Sequence, residues 1–442
     1  MQGIEAKVTE QFKVYNVTNR DILLALSGGV DSVVLLSLLS KLTRPLGLKL
    51  RAMHVNHGLI KEAKAWSDFC KRLCDEEKIP IDILNVSVPT ESSLGLEGAA
   101  RQVRYAALFK HSVKTVITAH HGDDQLETFF LQMLRGSGVD GLSAMVPYRR
   151  DTSSQSWLFR PFLAVSRDEI VKYAVAHKLR WIEDPSNNDH SLSRSYLRGS
   201  VLPKLRAKFP GFNASVMNVI KNLGETRDLT KEIATYDLQD LMQDDGGLDL
   251  GKFARLSELR KSNVIRHRFR EGGLDTPTRS QLREAIRQCI EAQPDSSVCV
   301  NTNAASIRRF RGRIYIVPLR PSDNSDWSCQ WSGQEIVELP GGYGRIEFYQ
   351  CTGDGIARKF VNSEKLNICF AAPSKLFSLG RNRPRRQLRK VWQTLGILPW
   401  ERTSSPIIYL RRDALFVGGL GVSARFLARP GEDAVGVKWV RP

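Results

Sequence analysis

The sequence contains no Cys-x-x-Cys pair. Its seven cysteines (Cys70, Cys74, Cys289, Cys299, Cys329, Cys351 and Cys369) are scattered, and the closest spacing is Cys70-x3-Cys74. That excludes a structural zinc ribbon or an iron–sulfur motif, and the odd count argues for a reducing compartment over a disulfide framework. A membrane span is missing as well. The only apolar stretch near the required length, "ILLALSGGVDSVVLLSLL" (Ile22–Leu39), is broken at its centre by Ser27-Gly28-Gly29 and by Asp31, which are costly in lipid. The opening "MQGIEAKVTEQF" has neither a basic-then-apolar signal nor an Arg-rich transit pattern. A cytoplasmic protein with no membrane partner is expected. Internal repeats and low-complexity tracts are absent too.

Acidic residues are in short supply: 65 Lys and Arg face 47 Asp and Glu, a formal charge of +18 over 442 residues. The plain account of such a surplus is solubility. In a chain long enough for several domains it points to a polyanionic partner, with nucleic acid ahead of an acidic membrane. A hydrophobic content of 42% excludes a disordered chain.

From Asp21 to about Ala119, β-rich runs alternate with helical ones. "DILLALS", "LKLRAMHVN", "IDILNVSV" and "KTVITAHH" read as strands; "SVVLLSLLSKL", "KEAKAWSDFCKRLCDEEK" and "LEGAARQVRYAALFKH" read as helices. Apolar strands separated by helices predict an α/β fold, a parallel twisted sheet with helices on both faces, whose ligands sit at the carboxyl ends of the strands. After "IEDPSNND" the pattern changes to charged helical pieces and then to a β-rich tail with turn signals. Three domains are expected: a catalytic domain at 1–212, a mainly helical domain at 213–322 and a C-terminal α+β domain at 345–442.

Chemistry-bearing residues gather at the predicted strand ends. Ser27-Gly28-Gly29-Val30-Asp31-Ser32 lacks the Gly-Lys-Ser/Thr ending of the Walker loop and the dinucleotide spacing. It is either a tight strand–helix turn with its own cap or a cradle whose glycines and helix-start amides meet a pyrophosphate. Asp31 repels phosphate unless a cation intervenes, which suits a Mg²⁺ ligand. "HVNHGL" (His54–Leu59) ends the second strand. "TAHHGDDQLET" (Thr118–Thr128) follows a later one and crowds His120, His121, Asp123, Asp124 and Glu127 together. Alone, this cluster is a solvated helix cap or a hard-cation site; zinc is disfavoured because no His-Glu-x-x-His spacing accompanies it. Arg101 and Arg104 share one helical face, as a phosphate clamp or as solvated surface. Arg135 in "LRGSGVDGL" marks a helix stop or a cationic loop.

These segments in this order resemble the N-type ATP pyrophosphatase (PP-loop) superfamily and, within it, the bacterial tRNA(Ile)-lysidine synthetase family. "SGGVDS" reaches only the superfamily. "HVNHGL", "AHHGDDQLET", "LRGSGVDGL", "RPFL" and "WIEDPSNND…SRSYLR" narrow it, over roughly residues 20–205, and "LRKVWQTLGILPW…SPIIYLRRDALFVGGLG" extends it weakly. The chain departs from the family pattern at Ile60, Gly98 and Ser195. The resemblance implies an ATP-dependent ligase with tRNA as partner and free lysine as co-substrate. ATP adenylates the wobble cytidine of the CAU-anticodon isoleucine tRNA at its carbon-2 oxygen and releases pyrophosphate. The lysine amine then displaces AMP, which changes the codon read from methionine to isoleucine. A homodimer is compatible with this reading.

Carried residue by residue, the resemblance implies catalytic roles for Asp31, Asp124, His120 and His121. ATP binding falls to Ser27, Gly28, Gly29, Val30, Asp31, Ser32, His54 and Arg101, and Mg²⁺ to Asp31 and Asp123. Phosphate or tRNA contacts fall to Arg104, Arg135, Arg194 and Arg198. Arg381–Arg412 holds nine basic residues and one acidic one, with Trp392, Trp400 and Tyr409 interleaved. It is a charged surface over an aromatic core or a tRNA contact, with Arg385, Arg386, Arg389 and Lys390 as the phosphate-facing set. Two competing classes fit less well. Sulfur-inserting tRNA enzymes usually need paired cysteines, and a non-catalytic RNA-binding module has no use for clustered carboxylates at strand edges.

Overall fold

The apolar run from Ile22 divides where its glycines fall. Strand β1 (Asp21–Ala25) stops, the chain turns at Gly28 with φ +90°, and helix α2 begins at Val30. The structure, a computed structural model, describes every residue except 1–2, 19, 59–62, 90–94, 152–153, 184–192, 294–295, 320–326, 362–364, 371 and 442. Ile60 and most of the "WIEDPSNND" segment therefore lie outside the described residues. The chain divides into two units, Met1–Val317 and Pro318–Pro442.

The first unit opens with α1 (Ile4–Val14), then β1, α2 (Val30–Leu42), β2 (Lys49–Asn56), α3 (Ala63–Glu76), β3 (Ile81–Asn85), α4 (Gly95–Lys110) and β4 (Thr115–Ile117). It continues through α5 (Gly122–Leu134), α6 (Val139–Leu142), β5 (Tyr148–Arg150), β6 (Trp157–Phe159) and α7 (Arg167–Ala176). The sheet order is β3-β2-β1-β4-β6-β5, parallel throughout except for β5, which pairs antiparallel with β6. The expected parallel α/β sheet is thus present; the antiparallel edge strand is an addition. Ile22, Leu23 and Leu24 are fully buried because helices cover both faces of β1, and buried α2 residues such as Val34, Leu35 and Leu38 complete that core. β1 has β2 on one side and β4 on the other. Strand order reverses there, which opens a crevice at the carboxyl ends of β1 and β4.

A short helix α8 (Ser193–Tyr196), a π-helical turn (Leu197–Val201) and α9 (Leu202–Lys208) lead into α10 (Phe212–Leu241), whose 30 residues span about 45 Å. α10 packs on α5 and α6, and further along on α12 (Glu258–Glu271). Beyond it, α11 (Leu250–Ala254), α12 and α13 (Arg279–Glu291) share a core with a four-stranded sheet ordered β7-β10-β9-β8. Those strands are β7 (Leu248–Asp249), β8 (Val298–Asn301), β9 (Ala305–Phe310) and β10 (Arg313–Pro318). The stretch "SIRRFRGRIYIVPL" forms the β9–β10 hairpin. Its two turn residues, Arg311 and Gly312, both have positive φ, matching the twist of the flanking strands.

The second unit is strand-rich. One sheet of seven strands includes β15 (Leu366–Cys369), β18 (Ile407–Leu410) and β19 (Asp413–Val417), with β11 (Ser328–Trp331) at one edge and β17 (Arg386–Gln387) at the other. A second sheet is built on β13 (Arg345–Thr352) paired with β21 (Asp433–Val440). Ile346 and Phe348 of this sheet share one core with Ile368, Ile408 and Leu415 of the first. No helix among the described residues is long and apolar enough to cross a membrane.

Candidate active site

The carboxyl ends of β1, β2 and β4 border a cleft of about 310 Å³ lined by Ser27, Asp31, Ser32, His54, His57, Trp66, Arg104, Tyr105, His120 and Asp124, among others. The loop after β1 is held by its own serines. The Ser27 and Gly28 amides each donate to Ser32 Oγ at 3.2 Å, and Ser32 Oγ donates to the Gly29 carbonyl at 3.0 Å. Gly28 is required on two counts. Its φ is +90°, and a Cβ there would stand 3.1 Å from Ile182 Cδ1 and 3.3 Å from Cys70 Sγ. The Ile182 amide donates to the Gly28 carbonyl at 2.9 Å, so the segment after α7 latches the loop from outside.

Helix starts differ around the cleft. α5 and α7 carry capping boxes, His121 with Asp124 and Ser166 with Glu169, whereas α2 begins at Gly29 with no side-chain cap. The first-turn amides of Val30, Asp31 and Ser32 are therefore available to an anion.

His121 is buried. Its Nδ1 accepts the Asp124 amide at 3.4 Å, which places the ring hydrogen on Nε2. That nitrogen lies 3.7 Å from Asp31 Oδ1 and 3.5 Å from Asp124 Oδ2. Two segments far apart in the sequence thus form one cluster: Asp31 from the loop, His121 and Asp124 from the start of α5. Burial raises the Asp31 carboxyl above its ordinary range, with His121 and Arg167 opposing. Burial also works to raise Asp124, but His121, His120 and the His121 amide outweigh it and hold that carboxyl below its ordinary value. His120 donates from Nδ1 to Thr118 Oγ1 at 2.8 Å and turns Nε2 toward Arg101 at 3.5 Å. Burial, helped by Arg101, Arg160 and Arg104, drives its pKa well below the usual histidine value, so it is a neutral imidazole. His54 is neutral for a similar reason, with its Nδ1 donating to the Leu26 carbonyl at 2.9 Å.

A cation has a place here. Asp31 Oδ1 is buried with no hydrogen-bond partner. Among the described residues no group of three or more His, Cys, Asp or Glu side chains gathers to hold a metal unaided. One carboxylate with substrate phosphates completing the shell is the usual arrangement for Mg²⁺. Asp123 is placed differently from Asp31: its Oδ2 accepts the Arg167 amide at 2.8 Å and its Oδ1 holds Arg206 at 2.5 Å.

The arginines are brought to the cluster unevenly. Arg198 reaches Glu127 through two hydrogen bonds, of 2.6 and 3.0 Å, and lies 3.8 Å from Asp124 Oδ1. Arg194 Nε lies 3.3 Å from the same Glu127. Arg101 and Arg104 both lie over the Tyr105 ring at the cleft wall. Arg135 caps the far end of α5, about 16 Å along the helix from Asp124. Sequence reasoning placed Glu127 in the cluster and assigned Arg194 and Arg198 to phosphate or tRNA, not to Glu127, and it missed Arg167, Arg206 and the Ile182 latch entirely. Only the Arg-Pro-Phe-Leu motif pointed toward Arg160, which is buried and donates to the Val146 carbonyl at 2.8 Å.

In the second unit, Trp392 is buried in a small core with Leu388 and Val391, while Arg386, Arg389 and Lys390 are exposed. Arg385 donates to Asp413 at 2.9 and 3.1 Å.

Residues 2–205 match the PP-loop domain family, 248–315 the TilS substrate binding domain and 366–439 the TilS substrate C-terminal domain. The chain is 34% identical over 426 residues to the tRNA(Ile)-lysidine synthase of Shigella flexneri, covering 96% of this chain and 97% of that protein. It is 33% identical over 417 residues to that of Nitrosomonas europaea, covering 94% and 91%. With that of Pectobacterium atrosepticum it shares 35% identity over 415 residues, covering 93% and 91%.

Proposed function

The chain belongs to the tRNA(Ile)-lysidine synthase family, and from that premise we propose that it joins free lysine to carbon 2 of the wobble cytidine in the CAU-anticodon isoleucine tRNA at the expense of ATP. The observation that carries the site assignment is the uncapped start of α2 beside an unpartnered Asp31 oxygen, within reach of His121 and Asp124. The Val30–Ser32 amides hold the polyphosphate, and Ser27, Gly28 and Gly29 let the backbone approach it. Asp31 holds Mg²⁺, which when bound supplies the charge neutralisation that makes pyrophosphate a leaving group. His54 and Arg101 border the nucleotide.

In the second step the lysine ammonium, with an ordinary pKa near 10.4, must lose a proton before its amine can attack. Asp124 is ionised and adjacent to two histidines, and we assign it to receive that proton as the carbon–nitrogen bond forms and AMP departs. His121 Nε2 faces both carboxylates, 3.7 Å from Asp31 Oδ1 and 3.5 Å from Asp124 Oδ2. Arg194 and Arg198 hold Glu127 and with it the α5 start; Asp123 serves the same framework, with a part in Mg²⁺ binding secondary to that. Arg104 and Arg135, with Arg385, Arg386, Arg389 and Lys390, face the tRNA. We divide the chain into a catalytic domain at 1–212, a middle domain at 213–322 and a C-terminal domain at 345–442, a division supported by the three family matches. A cytoplasmic location is supported by the unpaired cysteines.

The test is incubation with ATP, Mg²⁺, labelled lysine and bulk tRNA, with and without an isoleucine tRNA transcript. Label in that transcript, with AMP and pyrophosphate released, is the expected result. Label elsewhere, or AMP release independent of lysine, overturns the proposal.

A further inference from the structure

Cations near the Asp31 carboxylate are nearly all committed to other groups. Glu127 takes Arg198 and Arg194, Asp123 takes Arg206, and Arg101 lies between Tyr105 and His120. Arg167 is the exception. Its charge favours the ionised form of Asp31, yet among the described residues its guanidinium has no carboxylate partner.

The backbone beneath Arg167 is fixed from several sides. Its amide donates to Asp123 Oδ2 at 2.8 Å, and α7 starts on the Ser166–Glu169 capping box. One residue earlier, the Val165 carbonyl accepts the Gly122 amide at 2.7 Å, where a Cβ on Gly122 would stand 3.1 Å from that oxygen. The starts of α5 and α7 are therefore pinned together, and α7 packs along α2. The backbone at Arg167 is thus mounted beside the start of α5, on a helix that packs along α2, where the uncapped first turn and a buried Asp31 oxygen with no hydrogen-bond partner lie.

We propose that Arg167 is a further phosphate-binding residue of the ATP site, contacting non-bridging oxygens of the polyphosphate seated on the first turn of α2, and that Asp123 is the residue that positions it. This rests on the ATP-dependent reading above. A planar guanidinium suits two phosphate oxygens at once, whereas an ammonium acts as a point charge. Asp123 acts at one remove: by accepting the Arg167 amide and pairing with Arg206 it sets where α7 begins.

The experiment uses the full-length protein and the variants Arg167→Met, Arg167→Lys and Asp123→Asn, with melting temperature as the fold control. Binding of inorganic pyrophosphate with Mg²⁺ is measured without tRNA or lysine, and KM for ATP and for tRNA are measured separately. Arg167→Met is expected to weaken pyrophosphate binding and raise the ATP KM by about ten- to a hundredfold, the range for losing a charged hydrogen bond. Its tRNA KM should stay within about twofold of wild type. Arg167→Lys should recover part of the loss, and Asp123→Asn should show a smaller defect of the same kind. Unchanged pyrophosphate binding in Arg167→Met overturns the proposal. So does a parallel rise of both KM values with a lowered melting temperature, or a Lys variant no better than Met. Pyrophosphate binding is read without lysine transfer, so a wild-type protein that binds it but transfers no lysine refutes the parent reading and leaves this one standing.

Discussion

Arginines serve opposite ends in the two units. At the sheet edge of the first, Arg198 and Arg194 converge on Glu127, a residue 1% exposed, and Arg206 is held by Asp123. In the second, Arg386, Arg389 and Lys390 stand in solvent, and Arg385 shares the partly exposed Asp413 with Arg425. The first set is partly buried and anchored on carboxylates, so that removing one member strands its partners. The exposed set is additive and screened, so each member counts for little and salt weakens them all. One set holds a geometry; the other is left in solvent, as the proposed tRNA contact requires.

The strongest way to break this contrast is at Asp31. Asp31→Ala should lower lysidine formation by about a thousandfold or more, because a charge-stabilising group at the reacting phosphate is removed. tRNA binding should persist, since the exposed set is untouched. Single-turnover assays and filter binding on one preparation would check both, and turnover near wild type removes Asp31 from the mechanism. Asp124→Ala should behave alike, with a further loss of stability from the missing cap.

Next in size is Glu127→Ala, which leaves two arginines facing a buried gap. Breaking a buried ion pair typically costs about 3–5 kcal/mol, so a clear fall in the urea midpoint is expected. Arg385→Ala in the second unit should move the midpoint by no more than about 1 kcal/mol. Equal shifts would mean that the two sets of arginines do not differ as described.

That contrast was only partly legible beforehand. The strand–loop–helix at Ile22–Leu39 was readable because two glycines and an Asp inside an apolar run leave few physical options. The crowding of His121, Asp124 and Glu127 was readable because the three lie within one helical turn or two. The partners of Glu127 were not: Arg194 and Arg198 are about seventy residues away, and nothing local distinguishes a guanidinium that meets a buried carboxylate from one that meets phosphate. Ile182 was hidden for the same reason, because its contribution is a backbone amide on Gly28. The middle region read as helical because its strands are short and follow long charged helices, yet β8–β10 supply one wall of its core.

Protons separate the units more gently. All eight histidines precede residue 318. Burial lowers the pKa of His54, His57 and His120 in the first unit. Each is neutral when folded and binds a proton more readily when unfolded. The stability that this neutrality supports is present above the ordinary histidine pKa of about 6.5 and is lost as pH falls from there toward the lowered folded values. The slope is at most about 1.4 kcal/mol per pH unit for each histidine. Urea titrations from pH 7.5 down to 5.5 should show a falling midpoint, flattened in His54→Gln. A tryptophan signal reporting the second unit alone should stay level, and a parallel fall there would locate the acid sensitivity elsewhere.

The smallest single effects belong to the exposed cations. Arg386→Ala, Arg389→Ala and Lys390→Ala should each weaken tRNA binding only a fewfold, by roughly equal amounts for any tRNA sequence, because a phosphate contact carries no base information. Their signature is in salt rather than in affinity. Each true phosphate contact releases counterions, so the slope of log K against log salt should become shallower by about 0.7 to 0.9 per residue removed, and the triple variant should lose the sum. Additivity is the point of the measurement. In the cleft, Glu127 and Arg198 removed together should cost far less than the two single losses combined, since each removes the other's reason for being buried. If the exposed variants instead prove non-additive, or leave the salt slope unchanged, Arg386, Arg389 and Lys390 are solvated surface over the Trp392 core, and the tRNA is gripped elsewhere.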